Sequence, residues 1–445
     1  MTTTRIRDAR EVALIALQTM EKQGAWSDGL LKKMLTSLDK RDAALATRLC
    51  FGVLQNRLLI DFYLGHFSKM PLQKMERLVL GNLRLGVYQI LFMDKIPHNA
   101  SVDSAVELTK KHCKNPKASG MVNGILRNFL RQLDTLPEIP ETNSLNALSI
   151  RYSHPLALVE LFAQFLETEE LEAFLQANNS EPAMTAMVNT VTSSKEDVLA
   201  SLQKDHVDVK EHPWLDSCFT LTQTGNVEGL SAFSEGHFYI QDVASRLAVI
   251  CSGVTSGQRA LDVCAAPGGK SMAMAIQMEN QGEIISCDLH PHKKKLILAG
   301  AERLHLDCIN AETVNGKDFT PQWEEAFDLV FVDAPCSGLG VIRKKPDIRY
   351  KALKELEDLP KIQREILENV CQYVKKGGTM VYATCTILPR ENQEIVQAFC
   401  EEHPEFSLES FVLPEIGTVQ KGYITLFPQQ FGTDGFFMAK MRRNK

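Results

Sequence analysis

The 445-residue chain predicts a multidomain protein: an all-α N-terminal bundle, a small α/β segment that links, and a C-terminal doubly wound α/β domain. Three observations predict it. Apolar residues recur with helical spacing as far as Leu133. From Arg259 onward, short apolar runs alternate with helical stretches, the pattern of a parallel sheet covered on both faces. The first of those runs passes through a glycine-rich turn into a helix, the corner at which such sheets hold nucleotides.

The N-terminal helices are expected over Glu11–Lys22, Ala43–Phe67, Lys74–Phe92, Ser101–Cys113 and Ala118–Leu133. Ser101 stands where an N-cap belongs, after Ile96-Pro97 breaks the preceding element. Pro137 to Asn146, rich in Pro, Glu and Asn, reads as a linker. Tyr152-Ser153-His154-Pro155 then opens a helical stretch to Ala177, and Thr185–Val191 alternates as a strand. These readings divide the chain into domains over 1–140, 141–235 and 236–445.

Within the C-terminal domain, Arg259–Val263 leads into Cys264-Ala265-Ala266-Pro267-Gly268-Gly269-Lys270-Ser271, with helix from Met272. Gly269-Lys270-Ser271 matches the end of a P-loop, but that motif needs a glycine where this chain has Cys264. Phosphate transfer is therefore demoted. Asp288 follows a second apolar run, Glu283–Cys287, where a carboxylate meets a ribose hydroxyl in doubly wound folds; a helix cap is its plainer role. Phe327–Val332 delivers Asp333-Ala334-Pro335-Cys336-Ser337-Gly338, and Gly378–Tyr382 delivers Ala383-Thr384-Cys385-Thr386. Two thiols brought to the carboxyl rim of one parallel sheet point to chemistry rather than packing. The default for a cysteine is an inert core residue, and that reading is kept for Cys50, Cys113, Cys218, Cys251, Cys287, Cys308, Cys371 and Cys400.

These residues together resemble the RNA 5-methylcytosine methyltransferases of the NOL1/NOP2/Sun family, from Phe238 to the C-terminus. The resemblance implies a Rossmann-like catalytic domain that uses S-adenosyl-L-methionine. It assigns Cys385 as nucleophile and Cys336 to release of product, with Asp333 against nitrogen 3 of the cytosine. Such chemistry needs a thiolate, because carbon 5 of cytosine is nucleophilic only after a sulfur has added to carbon 6. A nearby cation would favour that thiolate, and Lys270 is the candidate. The cofactor is assigned to Cys264, Ala265, Ala266, Pro267, Gly268, Gly269, Lys270, Asp288, Asp318 and Asp333, with Asp307 and Asp328 as neighbours of Asp318 that leave its place open.

Upstream, Ile96-Pro97-His98-Asn99-Ala100-Ser101-Val102 and Val122-Asn123-Gly124-Ile125-Leu126-Arg127 resemble the NusB family of RNA-binding bundles. The pairing of the two regions resembles the RsmB (Sun/Fmu) family, which implies methylation of 16S rRNA at cytosine 967. Alternatives are a transfer RNA target, a DNA cytosine methyltransferase, or a non-enzymatic NusB-like RNA-binding factor. The family often carries Pro-x-Trp-Leu after the equivalent of His154, where this chain has Pro155-Leu156-Ala157-Leu158, and an arginine where it has Met187.

Charge supports an RNA partner once it is divided along the chain. The net −6 resolves into 21 Lys and Arg against 12 Asp and Glu over residues 1–135, and 28 against 43 thereafter. Arg5, Arg7, Arg10, Lys110, Lys111, Lys114, Lys117, Arg127 and Arg131 are expected to meet phosphates. Gly340-Val341-Ile342-Arg343-Lys344-Lys345-Pro346-Asp347 is expected as a cation-rich loop against RNA. Phe436 and Phe437 are expected in the core. The chain has no run of eighteen apolar residues and its first ten residues are polar, so membrane insertion and secretion are not expected. Eleven cysteines without Cys-x-x-Cys or paired-histidine spacing predict a reducing, cytoplasmic setting and no metal site. A monomer is expected.

Overall fold

The computed structural model describes residues 8–23, 28–139 and 144–444; Arg5 and Arg7 lie outside them. The chain forms two compact units. One comprises Met1–Asn179 with Ile342–Leu353, the other Ser180–Val341 with Lys354–Lys445.

The first unit is helical: α1 (Ala9–Gln23), α2 (Asp28–Leu35), α3 (Lys40–Gln55), α4 (Arg57–Phe67), α5 (Arg77–Phe92), α6 (His98–His112), α7 (Ala118–Arg131), α8 (Leu145–Arg151), α9 (Leu156–Phe162) and α10 (Thr168–Ala177). Its core is built from the apolar stripes of these helices, with Leu49, Leu83, Val87, Val102, Leu126 and Phe129 fully buried. The single helix expected over Ala43–Phe67 is two. Asn56 stops the first by turning its backbone N–H and its side-chain amide onto the Gly52 carbonyl, then caps the second. A short amide competing with the helical ladder is the reason. α6 begins at His98 and not at Ser101, because Pro97 supplies the pre-set φ that starts it. Ser101 is buried in its first turn. Helix α2 was not expected.

The second unit opens with a four-stranded antiparallel sheet of β1 (Met184–Val188), β2 (Asp208–Glu211), β3 (Cys218–Thr222) and β4 (Phe238–Ile240), in the order β2-β3-β1-β4. Helices α11 (Lys195–Lys204) and α12 (Ser231–Ser234) lie with it. Val188, Val198, Leu202, Phe219 and Phe238 close this small core. Met187 is buried, opposite Cys218 on β3 and Tyr239 on β4. Asn189 donates to the carbonyls of Gly236 at 2.9 Å and Leu304 at 2.8 Å, tying the end of β1 to the end of the helix Pro291–Arg303.

The larger sheet contains β5 (Arg259–Val263), β6 (Glu283–Asp288), β7 (Ile309–Thr313), β8 (Phe327–Asp333), β9 (Val374–Thr384), β10 (Phe406–Leu408), β13 (Tyr423–Leu426) and β14 (Phe436–Arg443), while β11 (Phe411–Leu413) and β12 (Gly417–Val419) pair apart. Its order is β10-β14-β9-β8-β5-β6-β7, with β13 also on β14. Strands β5 to β9 are parallel, and β14 runs antiparallel to β9. Side chains alternate between faces as a strand requires. Leu329 and Phe331 of β8 pack with α13 (Val243–Ser252), α14 (Gly269–Gln277) and α15 (Pro291–Arg303). Val330 and Val332 pack with α16 (Leu359–Val370) and α17 (Gln393–Glu402). The short α18 (Pro428–Phe431) precedes β14, whose Phe436 and Phe437 are core, as expected. Strand order reverses between β5 and β8, so the crevice beyond their carboxyl ends is where this fold accepts a ligand.

Candidate active site

Register brings the two cysteine motifs to one place. Asp333 at the end of β8 lies opposite Ala383 on β9, so each following segment leaves the sheet at the same level. The Sγ atoms of Cys336 and Cys385 are 3.3 Å apart. Gly340 donates to the Cys385 carbonyl at 3.0 Å and accepts from Gly435 at 2.8 Å, closing the first motif onto the second. A Cβ on Gly340 would collide with the Gly435 carbonyl, so only glycine permits this closure.

The two sulfurs are electrostatically unlike. Among the described residues, Cys385 is the only cysteine whose thiol is pushed down in pKa. The hydrogen bond from Cys336 is the main cause; the Lys270 cation adds to it, while burial and Asp333 oppose it. Cys336 is pushed well up by the same hydrogen bond, by burial and by the Glu391 carboxylate. The pair therefore favours a thiolate on Cys385 with the Cys336 S–H donating to it. Lys270 donates to Asp333 Oδ2 at 2.6 Å and sits 5.3 Å from the centre of the Phe436 ring. Cys50 and Cys264 are instead raised to about 12 by burial.

Beside this pair lies the glycine turn. Cys264 follows β5 with a left-handed φ of 63°, and Gly268 caps α14 at φ 103°. A Cβ on Gly268 would stand 3.1 Å from Met272 Cε and 3.3 Å from the Ile297 backbone. Under the turn, Ser271 donates to Asp262 at 2.5 Å and Ser286 donates to Ser271 at 2.7 Å. Asp262 is fully buried with Oδ1 unpartnered, and burial raises its carboxyl to about 7. Asp288 is buried at the end of β6, 3.2 Å from Lys293 Nζ, and the Val314 amide donates to its carbonyl. Asp318 is exposed, and lines a groove of about 1100 Å³ along α16 with Asn315, Lys317, Lys361 and Glu365. Neither Asp288, Lys270 nor Asp333 lines that groove.

With this geometry described, comparison with known proteins places the chain. The 16S rRNA methyltransferase RsmB/F model matches residues 251–442, the NusB family 7–131, and the RsmF/B-like ferredoxin-like domain 154–228. A "probable ribosomal RNA small subunit methyltransferase B" of Bacillus subtilis is 37% identical over 98% of both chains. The chain belongs to the RsmB/F family. A ribosomal RNA small subunit methyltransferase B of Escherichia coli is 32% identical, again over 98% of both chains. The crystal structure of PH0851 has the same fold, with TM-score 0.80 at 24% identity over 98% of this chain and 99% of that one. NSun6 from Pyrococcus horikoshii with SFG gives 0.58 at 20% identity, covering 65% of this chain and 98% of that one.

The turn suits the S-adenosylmethionine of such enzymes. Gly269 is half-buried, and the Gln241 amide lies within 3.4 Å of where a Gly269 Cβ would be. Asp262 keeps an unpaired oxygen beneath, and Asp288 stands at the strand end that meets a ribose.

Several residues of this RsmB/F site carried no sequence signal. Glu391 is fully buried and accepts from the Ser337 amide at 2.9 Å and from Gln363 at 3.0 Å, while Gln363 also donates to the Pro335 carbonyl at 3.0 Å. Asn392 accepts from Thr384 at 2.6 Å and donates to the Thr386 carbonyl at 3.0 Å. Both motifs are thus braced by one polar cluster from α16 and the turn before α17. A Glu-Asn pair after a cysteine motif has no distinctive pattern; only its burial marks it.

In the expected cation-rich loop, Arg343 and Lys344 are half-buried and Lys345 is exposed. Ile342–Leu353 packs within the helical unit, and Pro346, Asp347, Ile348 and Arg349 are buried. Ile342 is buried with them. The phosphate candidates Lys110, Lys111, Lys114, Lys117, Arg127 and Arg131 are all exposed on and around α6 and α7, whereas Arg10 is half-buried and donates to Gln89 at 2.7 Å. Among the described residues, no helix is long and apolar enough to cross a membrane, and no cluster of His, Cys, Asp and Glu would hold a metal.

Proposed function

We propose that this chain methylates carbon 5 of a cytosine in small-subunit ribosomal RNA, cytosine 967 of 16S rRNA being the position its resemblance implies. The observation that carries the mechanism is the asymmetric sulfur pair, Cys385 pushed toward thiolate 3.3 Å from a Cys336 held as thiol. Family membership supplies the cofactor, S-adenosylmethionine, whose activated methyl is what the ring receives. Residues Cys264–Lys270 and Asp288 would hold it, with Asp333 at its border, whereas the exposure of Asp318 argues for a lesser part.

The steps fall to this chain's own residues. Cys385 adds through sulfur to carbon 6, and the displaced electrons make carbon 5 nucleophilic. Asp333, held by Lys270, shares a proton at nitrogen 3 and offsets the charge that develops on the ring. Once carbon 5 carries the methyl, a base takes its remaining proton, the electrons return to the ring and expel the Cys385 thiolate, and nitrogen 3 gives its shared proton back to Asp333. Cys336 assists that release by donating to the departing sulfur. The cytosine must leave any stack for sulfur to reach carbon 6. The helical region over 1–140 is assigned to holding RNA through Lys114, Lys117, Arg127 and their neighbours, in the cytoplasm. The region over 141–235 links it to a catalytic domain over 236–445.

Denaturing gel electrophoresis of Cys336→Ala with unmethylated small-subunit rRNA and S-adenosylmethionine tests this reading. A covalent adduct that disappears in Cys336→Ala/Cys385→Ala is expected. An adduct on transfer RNA alone overturns the target; none on any RNA returns the chain to a binding factor.

A further inference from the structure

The Cys336 side chain is aimed by the two peptide planes on either side of it. The Pro335 carbonyl belongs to the peptide before Cys336 and the Ser337 amide to the peptide after it. Gln363 on α16 donates to that carbonyl at 3.0 Å, and Glu391 Oε2 accepts from that amide at 2.9 Å. The same Gln363 nitrogen donates to Glu391 Oε2 at 3.0 Å, which joins the two holds into one. Only φ and ψ of Cys336 lie between the planes, so fixing both planes fixes the direction of its Cβ.

Asn392, the next residue, holds both neighbours of Cys385. It accepts from Thr384 Oγ1 at 2.6 Å and donates to the Thr386 carbonyl at 3.0 Å. Ser337 Oγ donates to Thr386 Oγ1 at 2.7 Å, and Tyr382 donates to the Glu391 carbonyl at 2.7 Å, so the two cysteines share one network. Every side chain in it is buried, and all of it lies within the second unit.

A carboxylate this deep costs free energy that packing alone does not return. Glu391 is fully buried, it meets two neutral N–H donors at Oε2, and its Oε1 has no hydrogen-bond partner among the described residues. A neutral amide oxygen would accept the same two bonds, so charge is what this position adds. That charge falls on Cys336, where a second anion is disfavoured, and it leaves the proton of the sulfur pair there. The charged and titratable groups toward Cys385 are Lys270, Asp333 and Asp434; toward Cys336 they are Glu391 and the Tyr382 phenol. We infer that Glu391 is a positioning residue for methyl transfer, one that aims Cys336 at Cys385 and assigns the attack to Cys385. This rests on the reading that the pair is catalytic.

The test compares wild-type full-length protein with Glu391→Gln, Glu391→Asp and Gln363→Met. Iodoacetamide alkylation at low conversion is scored on separate peptides for Cys336 and Cys385. Hydrogen exchange of the Ser337 amide, S-adenosylmethionine affinity, and kcat and KM for methyl transfer to 16S rRNA are also measured. In Glu391→Gln the Cys336 share of first alkylation should rise about tenfold, the equivalent of one pH unit. Glu391→Asp keeps the charge but shortens the reach. It should keep the Cys385 preference while Ser337 exchange quickens and kcat falls, each about tenfold, the loss of one hydrogen bond. Gln363→Met frees the Pro335 carbonyl without changing charge and should lower kcat by about the same factor. KM for RNA and cofactor affinity should stay within about threefold in all three. Should Glu391→Gln not fold, Glu391→Asp and Gln363→Met decide by exchange and kcat. A Cys336 share unchanged in Glu391→Gln, or kcat unchanged in Glu391→Asp or Gln363→Met, would overturn the inference. Wild-type protein that methylates no RNA would sink the proposed function instead, while alkylation and exchange still judge Glu391.

Discussion

Replacing Cys336 by alanine removes the donor that most favours the Cys385 thiolate, and its consequence follows from the geometry. The sulfurs are 3.3 Å apart, and the remaining help comes from Lys270, whose charge is already shared with Asp333 at 2.6 Å. Burial and the Asp333 carboxylate then act against ionisation with less to oppose them. A hydrogen bond to a charged group contributes about 1.5–3 kcal/mol, or about one to two pH units at 1.36 kcal/mol per unit. Cys385 keeps some solvent access, which places the expected rise near one unit. The assay is the pH dependence of Cys385 alkylation, read on its own peptide by mass spectrometry. The midpoint in Cys336→Ala should lie about one unit above wild type. Attack on RNA slows at neutral pH, yet the adduct still accumulates because release is slower still. A midpoint unchanged or lower in Cys336→Ala would refute the claim that Cys336 polarises Cys385.

Three further outcomes are expected. Cys385→Ala should abolish both adduct and methyl transfer with S-adenosylmethionine affinity within about twofold, as calorimetry would show, since a nucleophile contributes to the reaction and not to cofactor binding. Gly268→Ala forces a left-handed φ of 103° on a residue with a Cβ, pressed 3.1 Å from Met272 Cε; cofactor affinity should fall at least about tenfold, with about 1–3 kcal/mol of stability lost in denaturant titration. Asp262 is raised to about 7 from an unfolded value near 3.9, so the folded state holds its proton longer. Its contribution is complete below pH 4 and declines as pH rises through about 7. Asp262→Asn should therefore gain stability relative to wild type between pH 5 and pH 8, read as the difference in denaturation midpoints; a constant difference would count against a protonated Asp262.

Much of the fold was legible because its signals are local. β5 spans Arg259–Val263 as read from its apolar run, and the glycine turn and both cysteine motifs follow their strands as expected. Helix existence was legible through periodicity, but boundaries moved where a side chain competes with backbone. Asn56 splits one expected helix, and Pro97 starts another before Ser101. Glu391 and Gln363 were not legible: each is an ordinary polar residue until the fold buries it. Arg349 carried no reading at all, because residue type alone does not reveal the helix-end carbonyls it meets.

The sequence by itself determined which chemistry is available: two thiols, a lysine and an aspartate beside strand ends, and a glycine turn fit for a nucleoside. Those are matters of residue type and short spacing, which survive any arrangement of the rest. Tertiary structure decided how the available groups differ from one another. Cys336 and Cys385 are the same side chain in similar contexts, and their hydrogen bond to each other, with Lys270 near one and Glu391 near the other, separates them. Proton affinity and hydrogen-bond satisfaction depend on distance through space, so groups 49 residues apart at the sulfurs, or 294 apart at Arg349 and Gln55, acquire their roles only when the chain is folded.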